Sequence, residues 1–181
     1  STLGRPSQDA FEGLFDDMDL SSTKLGKDVS TRSKLMAKII SAIDSIEFGI
    51  DETSIDVLGD AYEYLIGQFA ANAGKKAGEF YTATGPAELL CRLTTIGLKD
   101  VLSAADPTCG SGSLLLRLNK YANVRTFFGQ ELTSTTYNLA RMNMILHGVP
   151  YQNFTIYNGD TLEEDHFGEN KFRIQVANPP Y

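Results

Sequence analysis

Apolar residues recur at helical spacing through the first part of the chain, then give way to short apolar runs set between helical stretches. Leu35, Met36, Ile39, Ile40, Ile43 and Ile46 fall three and four residues apart, which places them on one face of a helix. Gly49 is a suitable stop. Thr53 and Asp56 resemble a capping box, opening a second helix with Ile55, Leu58, Tyr62, Leu65, Ile66 and Phe69 inward. Residues 1–28 are polar and weakly patterned, with Phe11, Leu14, Phe15 and Met18 as one helical face beside Asp16, Asp17 and Asp19. Residues 72–78 carry two glycines and two lysines and read as a linker. Residues 1–77 are therefore expected to form a helical N-terminal domain. Its stripes are expected to make its own core, with a partner surface as the alternative.

From residue 78 the pattern alternates. Residues 84–97 predict a helix with Pro86 in its first turn and Leu89, Leu90, Leu93 and Ile96 inward. A strand is predicted over 101–105, then a helix from Ser113 through Leu114, Leu115, Leu116 and Leu118. Val124, Phe127 and Phe128 belong to a second strand that ends at Glu131. Residues 133–147 predict a helix, stopped by Gly148-Val149-Pro150. A third strand covers 154–157 and ends in Asn158-Gly159-Asp160; a fourth covers 172–177 and runs into Asn178. Strands alternating with helices imply an α/β fold with a parallel sheet covered on both faces. Such sheets bind ligands at the carboxyl ends of their strands. Asp106, Glu131, Asp160 and Asn178 all fall there.

Composition narrows the class only a little. The 181 residues allow one domain, or a small domain and part of a larger one. No apolar run approaches the roughly 20 residues that cross a membrane, and no signal-peptide pattern opens the chain. Cys91 and Cys109 suggest neither a disulfide framework nor a zinc site. A cytoplasmic location is expected. Net charge is −7, with 8 basic against 13 acidic residues up to Ala77 and 8 against 10 after it. A protein gripping nucleic acid alone would carry a basic footprint. If this chain acts on DNA, another chain or a further segment supplies much of the grip.

The candidate chemistry centres on Asp106-Pro107-Thr108-Cys109-Gly110-Ser111-Gly112, a glycine-rich turn between the first strand and its helix. Glycine lets the backbone approach a ligand closely. Nineteen residues past Gly112 stands Glu131, about where a Rossmann-type site holds ribose hydroxyls. The turn is headed by an acid, which would repel a pyrophosphate. A nucleoside carrying positive charge fits instead, as S-adenosylmethionine does. At the fourth strand's end, Asn178-Pro179-Pro180-Tyr181 places an amide, two rigid residues and an aromatic ring together. Carbonyls fixed by proline can accept from an exocyclic amine, and a ring can stack on a flipped base.

Together these motifs resemble the amino-methyltransferases of DNA. The resemblance is greatest to the modification (methyltransferase) subunit of type I restriction–modification systems. The residues that carry it are Gly78-Glu79-Phe80-Tyr81-Thr82, then 106–112, then 178–181. Gln130-Glu131 and residues 138–143 fit the family's second strand and the helix after it. Ala83 stands where the family usually has proline.

The resemblance implies a Rossmann-like S-adenosylmethionine-dependent methyltransferase fold over residues 78–181, its sheet truncated after the fourth strand and its C-terminal part absent. It also implies a site-specific adenine-N6 DNA methyltransferase, with DNA, a specificity subunit and a restriction (translocase/nuclease) subunit as partners, and no metal or membrane. Carried over by position, Glu79, Phe80, Tyr81, Thr82, Ala83 and Thr84 line the cofactor's methionine end and adenosine edge. Asp106 faces its ammonium group, with Thr108, Gly110, Ser111, Gly112 and Ser113 in the same turn. Glu131 takes the ribose and Asp160 the adenine amine. Asn178 and Pro179 accept from the target amine, with Pro180 rigid beside them, and Tyr181 stacks on the base. The 181-residue piece by itself is expected to be inactive. Two alternatives stand beside this reading: a methyltransferase of the same fold acting on a protein glutamine or an RNA base, and a non-catalytic assembly fragment.

Overall fold

The computed structural model describes residues 11–16, 18–46, 54–72 and 81–179. Strands β1 (Asp100–Asp106), β2 (Asn123–Glu131), β3 (Phe154–Asn158) and β4 (Ile174–Gln175) form one parallel sheet in the order β3-β2-β1-β4. The described helices are α1 (Val29–Asp44), α2 (Ser54–Asn72), α3 (Thr84–Thr94), α4 (Ser113–Arg117) and α5 (Ser134–Leu146). The chain lays β2 and β3 on one side of β1 and returns to place β4 on the other. Strand order therefore reverses beside β1, and the crevice above such a reversal is where open α/β sheets take their ligands.

The core follows the predicted strands. Ala104, Ala105 and Phe127 are buried in the sheet, with Leu115 and Leu118 beneath the glycine turn and Ala140 and Met144 on α5. Each large side chain among them contributes roughly 1.5–3 kcal/mol by leaving water. Gly129 is fixed by space and not by backbone angle. A Cβ there would lie 2.8 Å from both Cys109 Sγ and Ile156 Cδ1. Gly129→Ala is expected to lower the unfolding free energy by about 1–3 kcal/mol, the usual cost of overpacking; urea denaturation measures it, and an unchanged midpoint would show that the turn has room to give.

Three helical faces differ from expectation. On α3 the buried residues are Ala87 and Cys91, with Thr95 just beyond its end, while Leu89, Leu93 and Ile96 are exposed. The interface with α4 is too close for leucine: Cys91 Sγ donates to Leu114 O at 3.7 Å. A stripe of three small side chains spaced four residues apart therefore wins over the more apolar leucine face. The helix also ends at Thr94, short of Gly97.

On α2 the buried residues are Gly59, Ile66 and Ala70, and Leu65 and Phe69 stay exposed. Here too close approach selects the face. A Cβ on Gly59 would lie 2.8 Å from the His147 ring, and Tyr62 Oη donates to Leu139 O at 3.4 Å. α2 thus rests on α5. The expected capping pair at Thr53 and Asp56, the stop at Gly49 and most of the linker lie outside the described residues or side chains.

The third difference is α1. It starts at Val29, six residues ahead of Leu35, because Asp28 caps it by accepting from Thr31 N at 2.8 Å. No residue of α1 is buried, and its stripe of Leu35, Ile39, Ile40 and Ile43, with Ile46 just past the helix end, is exposed. The expectation that this stripe packs into a helical core is therefore not met. Of the face at Phe11, Leu14, Phe15 and Met18, only Leu14 is buried. That segment is clipped to α5 by Arg141 Nη2 donating to Glu12 O (2.9 Å) and Asn138 Nδ2 to Gly13 O (3.3 Å).

Candidate active site

The turn after β1 is held from below and behind. Gly110 and Gly112 have φ of 54° and 77°, a left-handed backbone that side-chain-bearing residues rarely adopt. Cys109 N donates to Gln130 O at 2.9 Å, tying the turn to β2. Ser111 and Ser113 are buried, their hydroxyls 3.0 Å apart, and Asn143 Nδ2 donates to Ser111 O at 3.0 Å. The two hydroxyls are therefore engaged inside the protein, with Asn143 Nδ2 also 3.4 Å from Ser113 Oγ. Burial pushes the Cys109 thiol well above its usual range, with the Asp106 and Glu131 charges adding to the effect. That thiol is a packed side chain, 5% exposed, for which burial favours the protonated form.

Asp106 is 1% exposed and its pKa is raised to about 7, first by burial and also by the Glu131 charge. Bonds from Thr108 N (2.9 Å) and Thr108 Oγ1 (3.4 Å) to its Oδ1 work in the opposite direction. Glu131 accepts from Gly110 N at 3.1 Å and from Thr133 N at 2.9 Å, one bond to each carboxylate oxygen. Each oxygen keeps a further lone pair for a ligand hydroxyl. Asn158, which the sequence did not single out, steadies this end of β2 by donating from Nδ2 to Glu131 O (2.8 Å) and Leu132 O (2.9 Å).

A cavity of about 430 Å³ opens beyond the strand ends, lined by Pro107, Thr108, Gln130, Glu131, Leu132, Thr133, Asp160, Thr161, Leu162 and Pro179. It brings together four predicted residues: Thr108, Glu131, Asp160 and Pro179. The sequence reading missed Leu132, Thr133, Thr161 and Leu162. Leu162 is 95% exposed at the mouth, an apolar side chain standing in an acidic run. That contrast was its one visible signal. Thr161 Oγ1 donates to Pro107 O and so ties the segment after β3 to the turn after β1.

Asn178 follows β4, and its Nδ2 donates to Thr82 Oγ1 at 3.2 Å, joining two motifs far apart in sequence. Its neighbour Pro179 is part of the cavity wall. Tyr81 is half-buried beside α2, with Gly67 opposite its ring. Ala83 and Thr84 are exposed at the start of α3, and neither lines the cavity. Glu79, Phe80, Pro180 and Tyr181 lie outside the described residues. β4 itself pairs only at Ile174 and Gln175, shorter than the predicted 172–177, although Arg173 N and Val176 N still donate to Ser103 O and Ala105 O. Among the described residues, no helix is long and apolar enough to cross a membrane.

A buried acid at the head of a glycine turn, a second acid closing β2 and a parallel sheet with this reversal define the S-adenosylmethionine-dependent methyltransferase fold. The same fold is seen in a protein of Listeria monocytogenes described as a class I S-adenosylmethionine-dependent methyltransferase, at 18% identity, TM-score 0.58, covering 94% of this chain and 53% of that one. Within that fold the chain belongs to the N-6 DNA Methylase family, whose model matches residues 53–181. It is 44% identical to the type I restriction enzyme MpnII methylase subunit of Mycoplasma pneumoniae, over 97% of this chain and 35% of that protein. It is 36% identical to the MjaVIII methylase subunit of Methanocaldococcus jannaschii, over 72% of this chain and 24% of that protein. The crystal structure of a type I restriction-modification system methyltransferase subunit from Streptococcus thermophilus superposes with a TM-score of 0.84 at 44% identity, covering 97% of this chain and 38% of that one. The chain thus spans about a third or less of the length of these curated relatives.

Proposed function

We propose that this chain is the cofactor-binding and catalytic part of a type I modification methyltransferase, which moves a methyl group from S-adenosylmethionine to the N6 amine of an adenine flipped out of DNA. One observation carries the reading. The cavity lined by Glu131 and Asp160 has Pro179 in its wall, the residue next to Asn178, so donor and acceptor sites would abut.

The donor set suits the cofactor. Asp106 is a buried acid that a ligand ammonium would neutralise, Glu131 has lone pairs to spare for ribose hydroxyls, and Leu132 and Leu162 give an apolar lip to an adenine ring. Asp160 at the same end would accept from the adenine amine. Gly110, Ser111, Gly112 and Ser113 would approach the methionine end by backbone, with Thr82 held beside Asn178. The cofactor supplies an activated sulfonium methyl, so the chain's task is positioning more than acid–base work.

Asn178 performs the central step. Its amide nitrogen donates to Thr82 Oγ1, so Oδ1 would be the atom that accepts from an incoming amine. With the Pro179 carbonyl it would accept both amine hydrogens, drawing the lone pair out of conjugation with the ring. Tyr181 would stack on the flipped base, a contact worth about 1–3 kcal/mol.

We also propose the division into a helical domain over 1–77 and the methyltransferase domain from 78, with the exposed α1 stripe belonging to the first. DNA, a specificity subunit that selects the site and a restriction subunit are the proposed partners, and a DNA substrate places the assembly in the cytoplasm. The net charge of −7 supports the need for such partners, since phosphate binding relies on basic side chains. The test is incubation of the whole methyltransferase with its specificity partner, labelled cofactor and DNA. Label recovered as N6-methyladenine is expected; label in protein or RNA alone would replace the reading. For the cofactor site, Glu131→Ala is expected to weaken S-adenosylmethionine about thirtyfold by calorimetry, the loss of charged hydrogen bonds. Equal affinity would remove the ribose assignment.

A further inference from the structure

The cavity wall after β3 is a short segment with no strand of its own, and something must hold it. Gln130, the next-to-last residue of β2, is fully buried and reaches this segment from inside. Its Nε2 donates to Glu164 O at 2.8 Å, and its Oε1 accepts from His166 N at 3.4 Å. Its own carbonyl accepts from Cys109 N at 2.9 Å. One residue therefore braces the glycine turn through its backbone and the opposite wall through its side chain. Within the segment, Glu163 N and Glu164 N donate to Asp160 O, and Leu162 N donates to Asp160 Oδ1 at 2.9 Å. Fixing Glu164 thus fixes Asp160 and Leu162.

The surroundings allow no slack. The His166 ring stacks on Tyr157 with centroids 5.3 Å apart and 10° between planes, and its Nε2 lies 3.2 Å from Glu164 Oε2. A Cβ on Gly159 would fall 2.7 Å from His166 Nε2. A buried amide left without partners is costly, so the segment and Gln130 settle in register together.

We propose that Gln130 is a positioning residue that sets the Asp160–Leu162 wall against the cofactor's adenine. This inference rests on the cofactor site proposed above. Gln130→Leu keeps most of the volume and removes both side-chain bonds. It is expected to weaken S-adenosylmethionine about tenfold in calorimetry, and the effect should largely vanish in an Asp160→Ala background because the two act through one contact. Amide hydrogen exchange supplies the readout that a general structural role would not move. In the free variant, amides of residues 160–166 should exchange at least tenfold faster, while those of β1 and β2 keep their protection.

Gln130→Met is the second variant should Gln130→Leu fail to fold. If both fail to fold, or if protection is lost evenly across the sheet, Gln130 is a structural residue and the proposal falls. If the unchanged chain binds the cofactor and Gln130→Leu binds equally well, the proposal alone falls. Full additivity with Asp160→Ala would overturn it too. No binding by the unchanged chain would overturn it together with the cofactor site.

Discussion

Asp106→Asn is expected to unfold at a higher temperature than the unchanged chain at pH 8 and to bind S-adenosylmethionine about a hundredfold more weakly. Both effects come from one buried charge. In the folded protein the Asp106 pKa is raised to about 7 from 3.8. Between those values the folded state holds a proton that the unfolded state releases, so stability falls as pH rises through that window. Above pH 7 the folded chain carries the full cost of an ionised carboxylate in a dry site. Asparagine removes that cost and still accepts from Thr108 N. We expect a gain of roughly 1–3 kcal/mol at pH 8, shrinking toward zero by pH 4.

Cofactor binding runs the opposite way, because the ligand's ammonium needs the charge. Below pH 7 the chain must lose the Asp106 proton to bind, so affinity should fall about tenfold per pH unit and close to one proton should be released per cofactor at pH 6. Asp106→Asn should release none. Calorimetry in buffers of differing ionisation enthalpy measures the proton count, and a count of zero for the unchanged chain would move the ammonium away from Asp106.

Asn178→Ala should separate binding from chemistry in the whole methyltransferase. Methyl transfer is expected to fall about a thousandfold, the scale seen when one preorganised hydrogen-bonding group is removed from a reacting centre. Cofactor affinity should change less than threefold, because Asn178 contacts Thr82 and does not line the cavity wall. Single-turnover methylation and calorimetry on the same preparation give the two numbers. A folded variant that lost cofactor binding would contradict the division of roles between Asn178 and the strand ends of β1 and β2.

Much of the sheet was legible because parallel strands read as apolar runs, and all four end in a polar residue. The site followed from that: Asp106, Glu131, Asp160 and Asn178 all stand near strand ends. The helical faces were misread wherever a helix lies close to its neighbour. At Cys91 against Leu114 and at Gly59 against His147, contact distance selects small residues, and a pattern weighted by hydrophobicity points to the leucines instead. On α1 the stripe was read correctly but its burial was not, since periodicity marks a face without saying what covers it. Gln130 entered only as part of the second-strand resemblance and Asn158 only as a strand end, neither with a role of its own. Their roles come from side chains meeting loops up to 36 residues away, as when Gln130 accepts from His166 N.

The central claim is that the strand ends of this sheet hold S-adenosylmethionine beside Asn178. A crystal structure of the chain with S-adenosylhomocysteine tests it most directly. The amino group is expected within hydrogen-bond reach of Asp106, the ribose hydroxyls on Glu131, and adenine between Leu132 and Leu162 with its amine toward Asp160. A ligand bound instead in the charged cleft of about 360 Å³ lined by Asp60, Glu63, Arg117, Lys120 and His147 would contradict it.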